Sequence, residues 1–185
     1  MLYIISGIAK AGKSFLTKQI VEKYPLGYFS TDYLMMSLVR GNKSLNIDSN
    51  ASDITVSNQL KPYLEGMFRT MIENQIDYVV EGVHIQPDFA DALLKQYPNK
   101  VKIIYLGYRL ADASNKTVEL KQFGHQTENH WFSSMNDAEL HNLVLYLIRE
   151  SGKLYDNCLK YHLPYYEITN ISEQANGIIK DLIEH

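Results

Sequence analysis

One cysteine, Cys158, stands in 185 residues. An internal disulfide and any cysteine-built zinc site are thereby excluded, and the thiol reads as a buried helix residue in a reducing cytosol. There is no block of basic residues, and the net charge is −3, so nucleic acid is not expected as the main partner. No charged leader runs into a long apolar stretch, so a membrane partner is not expected and a cytoplasmic location is. Repeats and low-complexity tracts are absent. Arginine is scarce as well, with only Arg40, Arg69, Arg109 and Arg149.

What is present is an ordinary globular composition, 45% hydrophobic and 21% charged, at a length that fits a single domain spanning 1–185. Fourteen tyrosines exceed the usual share. Near the start, the apolar run Leu2-Tyr3-Ile4-Ile5 leads into Gly7, four residues, Gly12-Lys13-Ser14 and then a helical pattern. This is G-x-x-x-x-G-K-[ST], the phosphate loop, in its required place between a strand and a helix. Its glycines let successive N–H groups of Gly7, Ile8, Ala9, Lys10, Ala11, Gly12, Lys13, Ser14 and Phe15 point at a polyphosphate. The helix adds its positive dipole end. Lys13 is expected to reach the β- and γ-phosphates and the Ser14 hydroxyl to ligate Mg²⁺. ATP is the expected nucleotide, because no N-K-x-D guanine-reading motif follows a strand.

Downstream, helical and strand patterns alternate. A helix runs to Tyr24-Pro25-Leu26-Gly27, followed by a strand at 28–30 and a helix at 33–39. Residues 42–53 read as a polar loop, and a helix follows at about 57–74, interrupted by Pro62. Strand 77–84 precedes a helix opened by Pro87. Strand 101–106 leads to a helix at 109–123, a polar loop at 124–135 and a long helix at 140–161. A strand at 165–169 and a helix at 171–183 close the chain. Five strands separated by helices imply an α/β fold, a parallel sheet with helices on both faces. Ligands of such sheets lie beyond the carboxyl ends of the strands. A small lid is expected at about 109–136.

Four strand ends carry candidate residues. Asp32 is placed to orient an acceptor hydroxyl and take its proton, the alternative being a helix cap. Glu81, closing an apolar strand, is suited to help hold Mg²⁺ and to meet substrate. His84 either contacts substrate or is a hydrogen-bonded structural residue. Arg109 or Arg149 is the candidate for neutralising charge on the transferred group. Arg40 either binds an anionic acceptor or complements the end of its helix. Lys10 reads as solvated, and Lys116 and Lys121 as a solvated face. His125 and His130, five apart, make a poor metal pair, and Trp131 fits a lid loop packing on substrate or core.

With these residues in place, the chain resembles the P-loop small-molecule kinases of the nucleoside-monophosphate-kinase-like group. Glu81-Gly82-Val83-His84-Ile85-Gln86-Pro87 is similar to the E-G-V-H-x-x-P segment of the 2-phosphoglycerate kinase family. Ser30-Thr31-Asp32 resembles the strand-end acidic segment of that family, of zeta toxins and of chloramphenicol phosphotransferases. The resemblance implies a three-layer P-loop NTPase fold with strand order 2-3-1-4-5, and a role for Asp32 at the acceptor hydroxyl. Adenylate kinases carry several arginines across the monophosphate site and lid, which this chain lacks. The expected activity is ATP- and Mg²⁺-dependent transfer of the γ-phosphoryl group to a small-molecule hydroxyl or phosphate acceptor. The alternatives are a nucleoside or nucleotide kinase and, from another class, a regulatory NTPase. The oligomeric state is open, a homodimer included.

Overall fold

A computed structural model of the chain describes residues 1–126, 132 and 134–184, without the side chains of 123–126. The readings of His130 and Trp131 lie outside these described residues, and that of His125 rests on a side chain outside them. Strands β1 (Leu2–Gly7), β2 (Gly27–Ser30), β3 (Tyr78–Glu81), β4 (Val101–Gly107) and β5 (Tyr165–Glu167) form one sheet of order β2-β3-β1-β4-β5. Every pairing is parallel. That is the expected 2-3-1-4-5 order, with helices on both sides. β1 is buried along its whole length, as a central parallel strand covered on both faces must be. The short strands β2 and β5 are the edges.

The helices are α1 (Lys13–Lys23), α2 (Thr31–Gly41), α3 (Asp53–Glu73), α4 (Pro87–Gln96), α5 (Ala113–Gln126), α6 (Asp137–Lys160) and α7 (Ile171–Ile183). α1 packs against α7, and α4 against α6. α3 buries Val56, Leu60, Leu64, Phe68 and Ile72, a strict i, i+4 stripe on one face. Each such side chain taken from water contributes roughly 1.5–3 kcal/mol. This stripe carries the helix through Pro62, which lies on the exposed side, where the carbonyl it leaves without a helical donor can bond water.

Several expected boundaries shift for local reasons. α2 begins at Thr31 because Ser30 is its cap, with Oγ accepting from the Asp32 N–H at 3.4 Å. Within the polar 42–53 stretch, Lys43–Leu45 form a 3-10 turn, and α3 starts at Asp53, capped by Ser52. β3 stops at Glu81 because Gly82 adopts φ 156°. α5 starts at Ala113, after Asp112 accepts from the Asn115 N–H at 2.9 Å. α6 opens on a capping box between Asn136 and Glu139.

Tyrosine hydroxyls tie the strand ends together. Tyr105 Oη and Ser6 Oγ both donate to the Ile85 carbonyl, at 3.0 and 2.9 Å. Tyr108 Oη donates to the Ala9 carbonyl at 2.8 Å. Ser151 Oγ on α6 accepts from the Tyr108 N–H at 2.7 Å and is hydrogen-bonded to Tyr165 Oη at 3.0 Å.

Gly7 joins β1 to the phosphate loop at φ 135°, and a Cβ there would fall on the Leu106 backbone. Gly7→Ala is expected to cost about 3 kcal/mol, from backbone strain together with overpacking. Urea unfolding of the variant against the wild type checks this.

Candidate active site

The carboxyl ends of the strands open into a cleft of ≈ 490 Å³. One wall is the phosphate loop from Ala9 to Phe15, another is Asp32 with Glu81, Gly82 and Val83, and a third is Lys116, Glu119 and Leu120 of α5. The far end is Ile168, Thr169, Ile171 and Ser172, between β5 and α7. The volume suits a nucleotide-sized ligand.

The loop is held from β4. Ile8 N–H donates to the Leu106 carbonyl at 2.9 Å, and Tyr108 holds Ala9. Lys10 takes the left-handed conformation, φ 64°, which a non-glycine residue adopts only under local constraint. Gly12, at φ 90°, leads directly into α1. Lys13 is only 7% exposed. Its ammonium donates to the carbonyls of Ile8 at 2.8 Å and Gly7 at 3.4 Å. Burial pushes its pKa down, while Glu81, Asp32 and Asp53 pull it back up. Ser14 lies exposed at the cleft wall.

Because Ser30 caps α2, the Asp32 carboxylate is left free, 61% exposed in the first helical turn. Beneath it lies His84, whose Nδ1 is 3.7 Å from Asp32 Oδ1 and 2.8 Å from Thr31 Oγ1. His84 is buried. Burial lowers its pKa, against the opposing pull of Asp32 and Asp53. The backbone turn at Gly82 makes this arrangement, since a Cβ there would collide with the Thr31 side chain. Glu81 is buried at the end of β3, and Tyr28 Oη donates to its Oε1 at 3.3 Å.

Lys13, Ser14, Asp32, Glu81 and His84 therefore converge, and the arginines do not. Arg109 stacks on Tyr155 with its guanidinium 3.9 Å from the ring, and its Nε is 3.5 Å from Glu167 Oε2. Arg149 is exposed beside Glu150 and lies over the Tyr146 ring. Arg40 is eight residues along α2 from Asp32, about 12 Å at the helical rise. None of the three lines the cleft. Lys116 departs from expectation in the opposite sense: it is buried at the cleft wall rather than on a solvated face. Lys121 pairs with Asp137.

Two further features escaped the sequence reading. Asp53 opens α3 near the site; the residue is exposed, but partial desolvation of its carboxyl raises the pKa, while His84 and Lys13 lower it. Ser57 Oγ donates to the Asp53 carbonyl at 2.6 Å, and Gln86 Nε2 donates to both Ser57 Oγ and the Val83 carbonyl. The Ser52 cap is the signal that places this residue at a helix start. The fifth strand end, with Thr169 and Ser172, also reaches the cleft.

No protein-family model matches the sequence, and no curated protein matches it. Solved structures do. A shikimate kinase from Bacteroides thetaiotaomicron aligns at TM-score 0.62 and 13% identity, over 100% of this chain and 99% of its own. A gluconokinase from Sinorhizobium meliloti aligns at 0.58 and 16%, over 98% and 93%. A putative kinase from Chloroflexus aurantiacus aligns at 0.57 and 16%, over 100% and 97%. At these identities the likeness establishes the fold: the chain has the five-stranded architecture of the P-loop kinases.

A histidine whose pKa is lowered on folding binds its proton more readily in the unfolded chain. His84 therefore contributes stability that is complete above the unfolded value of about 6.5 and is lost as pH falls below it. The urea midpoint is expected to drop between about pH 7.5 and 5.5, and His84→Gln is expected to flatten that slope.

Proposed function

We propose that the chain is an ATP-dependent kinase that transfers the γ-phosphoryl group to the hydroxyl of a small molecule. One observation carries this reading: a single cleft sets the buried Lys13 and its phosphate loop against the exposed carboxylate of Asp32. The loop amides and Lys13 hold the phosphates. Asp32 orients the acceptor hydroxyl and accepts its proton. The acceptor oxygen bonds to the γ-phosphorus as the bond to the β–γ bridging oxygen breaks, and that electron pair leaves with ADP. His84, hydrogen-bonded to Thr31, braces Asp32 from below. α5, within the stretch expected to form a lid, supplies one wall of the cleft.

The donor set fits Mg²⁺. The Ser14 hydroxyl and the Glu81 carboxylate are hard oxygen ligands at the cleft wall, and Glu81 Oε1 accepts a long bond from Tyr28. Among the described residues no group of three His, Cys, Asp or Glu forms a metal cage. That suits an ion held by one or two side chains together with substrate phosphates. Bound there, the ion supplies charge neutralisation at the phosphates.

The acceptor follows from the charges. None of the four arginines lines the cleft, so a carboxylate or phosphate on the acceptor would find Asp32 and Asp53 without a guanidinium to offset them. An uncharged hydroxyl compound suits this end best. The kinase neighbours supply supporting likeness of fold, although shikimate and gluconate are both acids.

Asp32→Asn is expected to lower kcat by about 10²–10⁴-fold while leaving ATP affinity within a few-fold. Lys13→Ala is expected to abolish turnover. Full activity of Asp32→Asn on every accepted substrate would remove the base assignment. In an ADP-release screen, neutral alcohols and sugars are expected to outpace carboxylic and phosphorylated acids; the reverse order would refute the acceptor class.

A further inference from the structure

Phosphoryl transfer spreads negative charge over the moving group, and a cation beyond the loop lysine normally meets it. Among the described residues the cations lining the cleft are Lys10, Lys13 and Lys116. Lys13 is held by the loop carbonyls. Lys10 points over the Phe132 ring, 4.8 Å from its centroid. Lys116 comes from the facing wall, on α5, and is only 7% exposed. Its Nζ lies 2.7 Å from Glu119 Oε1 and 4.6 Å from the centroid of the Tyr108 ring.

That ring is fixed to the phosphate loop, because the Tyr108 hydroxyl donates to the Ala9 carbonyl. A cation resting on it is therefore carried at the rim of the anion cradle. An aromatic face orients an ammonium without cancelling its charge. Glu119 is 58% exposed, so solvent weakens the pair, which can yield to a more highly charged phosphate.

Resting on the triphosphate site proposed above, we infer that Lys116 is the cation that meets the terminal phosphate and stabilises the charge developed in transfer. It keeps its own proton throughout; the acceptor's proton goes to Asp32. The compact ammonium of lysine serves here as a point charge, in the place where an arginine was expected.

The test uses the full chain with Mg²⁺ and two probes, ADP and a non-hydrolysable ATP analogue. Lys116→Met keeps the buried stem and removes the charge. Its affinity for the analogue is expected to fall about tenfold, with ADP affinity held within about threefold. With an active acceptor, kcat is expected to fall by about 10²–10³-fold, and Lys116→Arg to recover part of it. Unchanged analogue affinity, or equal loss for both nucleotides, would overturn the assignment, the latter marking a purely structural role. If no acceptor is phosphorylated by the wild type, the kinase reading fails, and the affinity ratio still decides Lys116. Should Lys116→Met melt cooperatively only below assay temperature, Glu119→Gln decides instead. Freeing Lys116 is expected to tighten the analogue relative to ADP by about threefold, and an unchanged ratio overturns the inference.

Discussion

The buried ammonium of Lys13 organises this molecule. A primary amine taken out of water is costly unless it is hydrogen-bonded and faced by opposite charge. The fold meets both demands by bending the loop carbonyls of Gly7 and Ile8 onto it and by ending β3 and starting α2 with the carboxylates Glu81 and Asp32. The strand order makes this possible. With β1 central and β3 beside it, residues far apart in sequence emerge together at the carboxyl ends of the strands, close enough for their charges to balance.

A second layer of order supports the first. The large tyrosine complement, without an evident purpose in the sequence, is used in part as a set of struts: Tyr105 to Ile85, Tyr108 to Ala9, and Tyr165 to Ser151. Each places a large apolar ring in or beside the core and a hydroxyl on a backbone or side-chain oxygen near a strand end. The loops that carry the site are thereby braced from within rather than left to solvent.

Much of this was legible in the sequence. The phosphate loop demands glycines, a lysine and a hydroxyl at fixed spacing, so Gly7 to Ser14 declare themselves. Asp32 and Glu81 were findable because acidic residues closing apolar strands stand out, and the alternation of patterns implied the parallel sheet. The strand order came from the likeness carried by Glu81–Pro87 and Ser30–Asp32. What stayed hidden depends on contacts distant in the chain. Arg109 is drawn to Tyr155 and Glu167, some fifty residues on, and nothing local announces it. Lys116 sits among Ser114, Asn115 and Thr117 in the sequence, and the Tyr108 ring that it rests on comes from outside its helix. Pro62 reads as a break by propensity, and the buried stripe from Val56 to Ile72 overrides it.

The outermost strands have a consequence for association. β2 has four residues and β5 only three, both below the usual five or six. Sheets recruit neighbours through long rows of open backbone donors and acceptors. Here a second copy would find almost no ladder to extend, so any pairing between copies has to be made through helical faces and side chains.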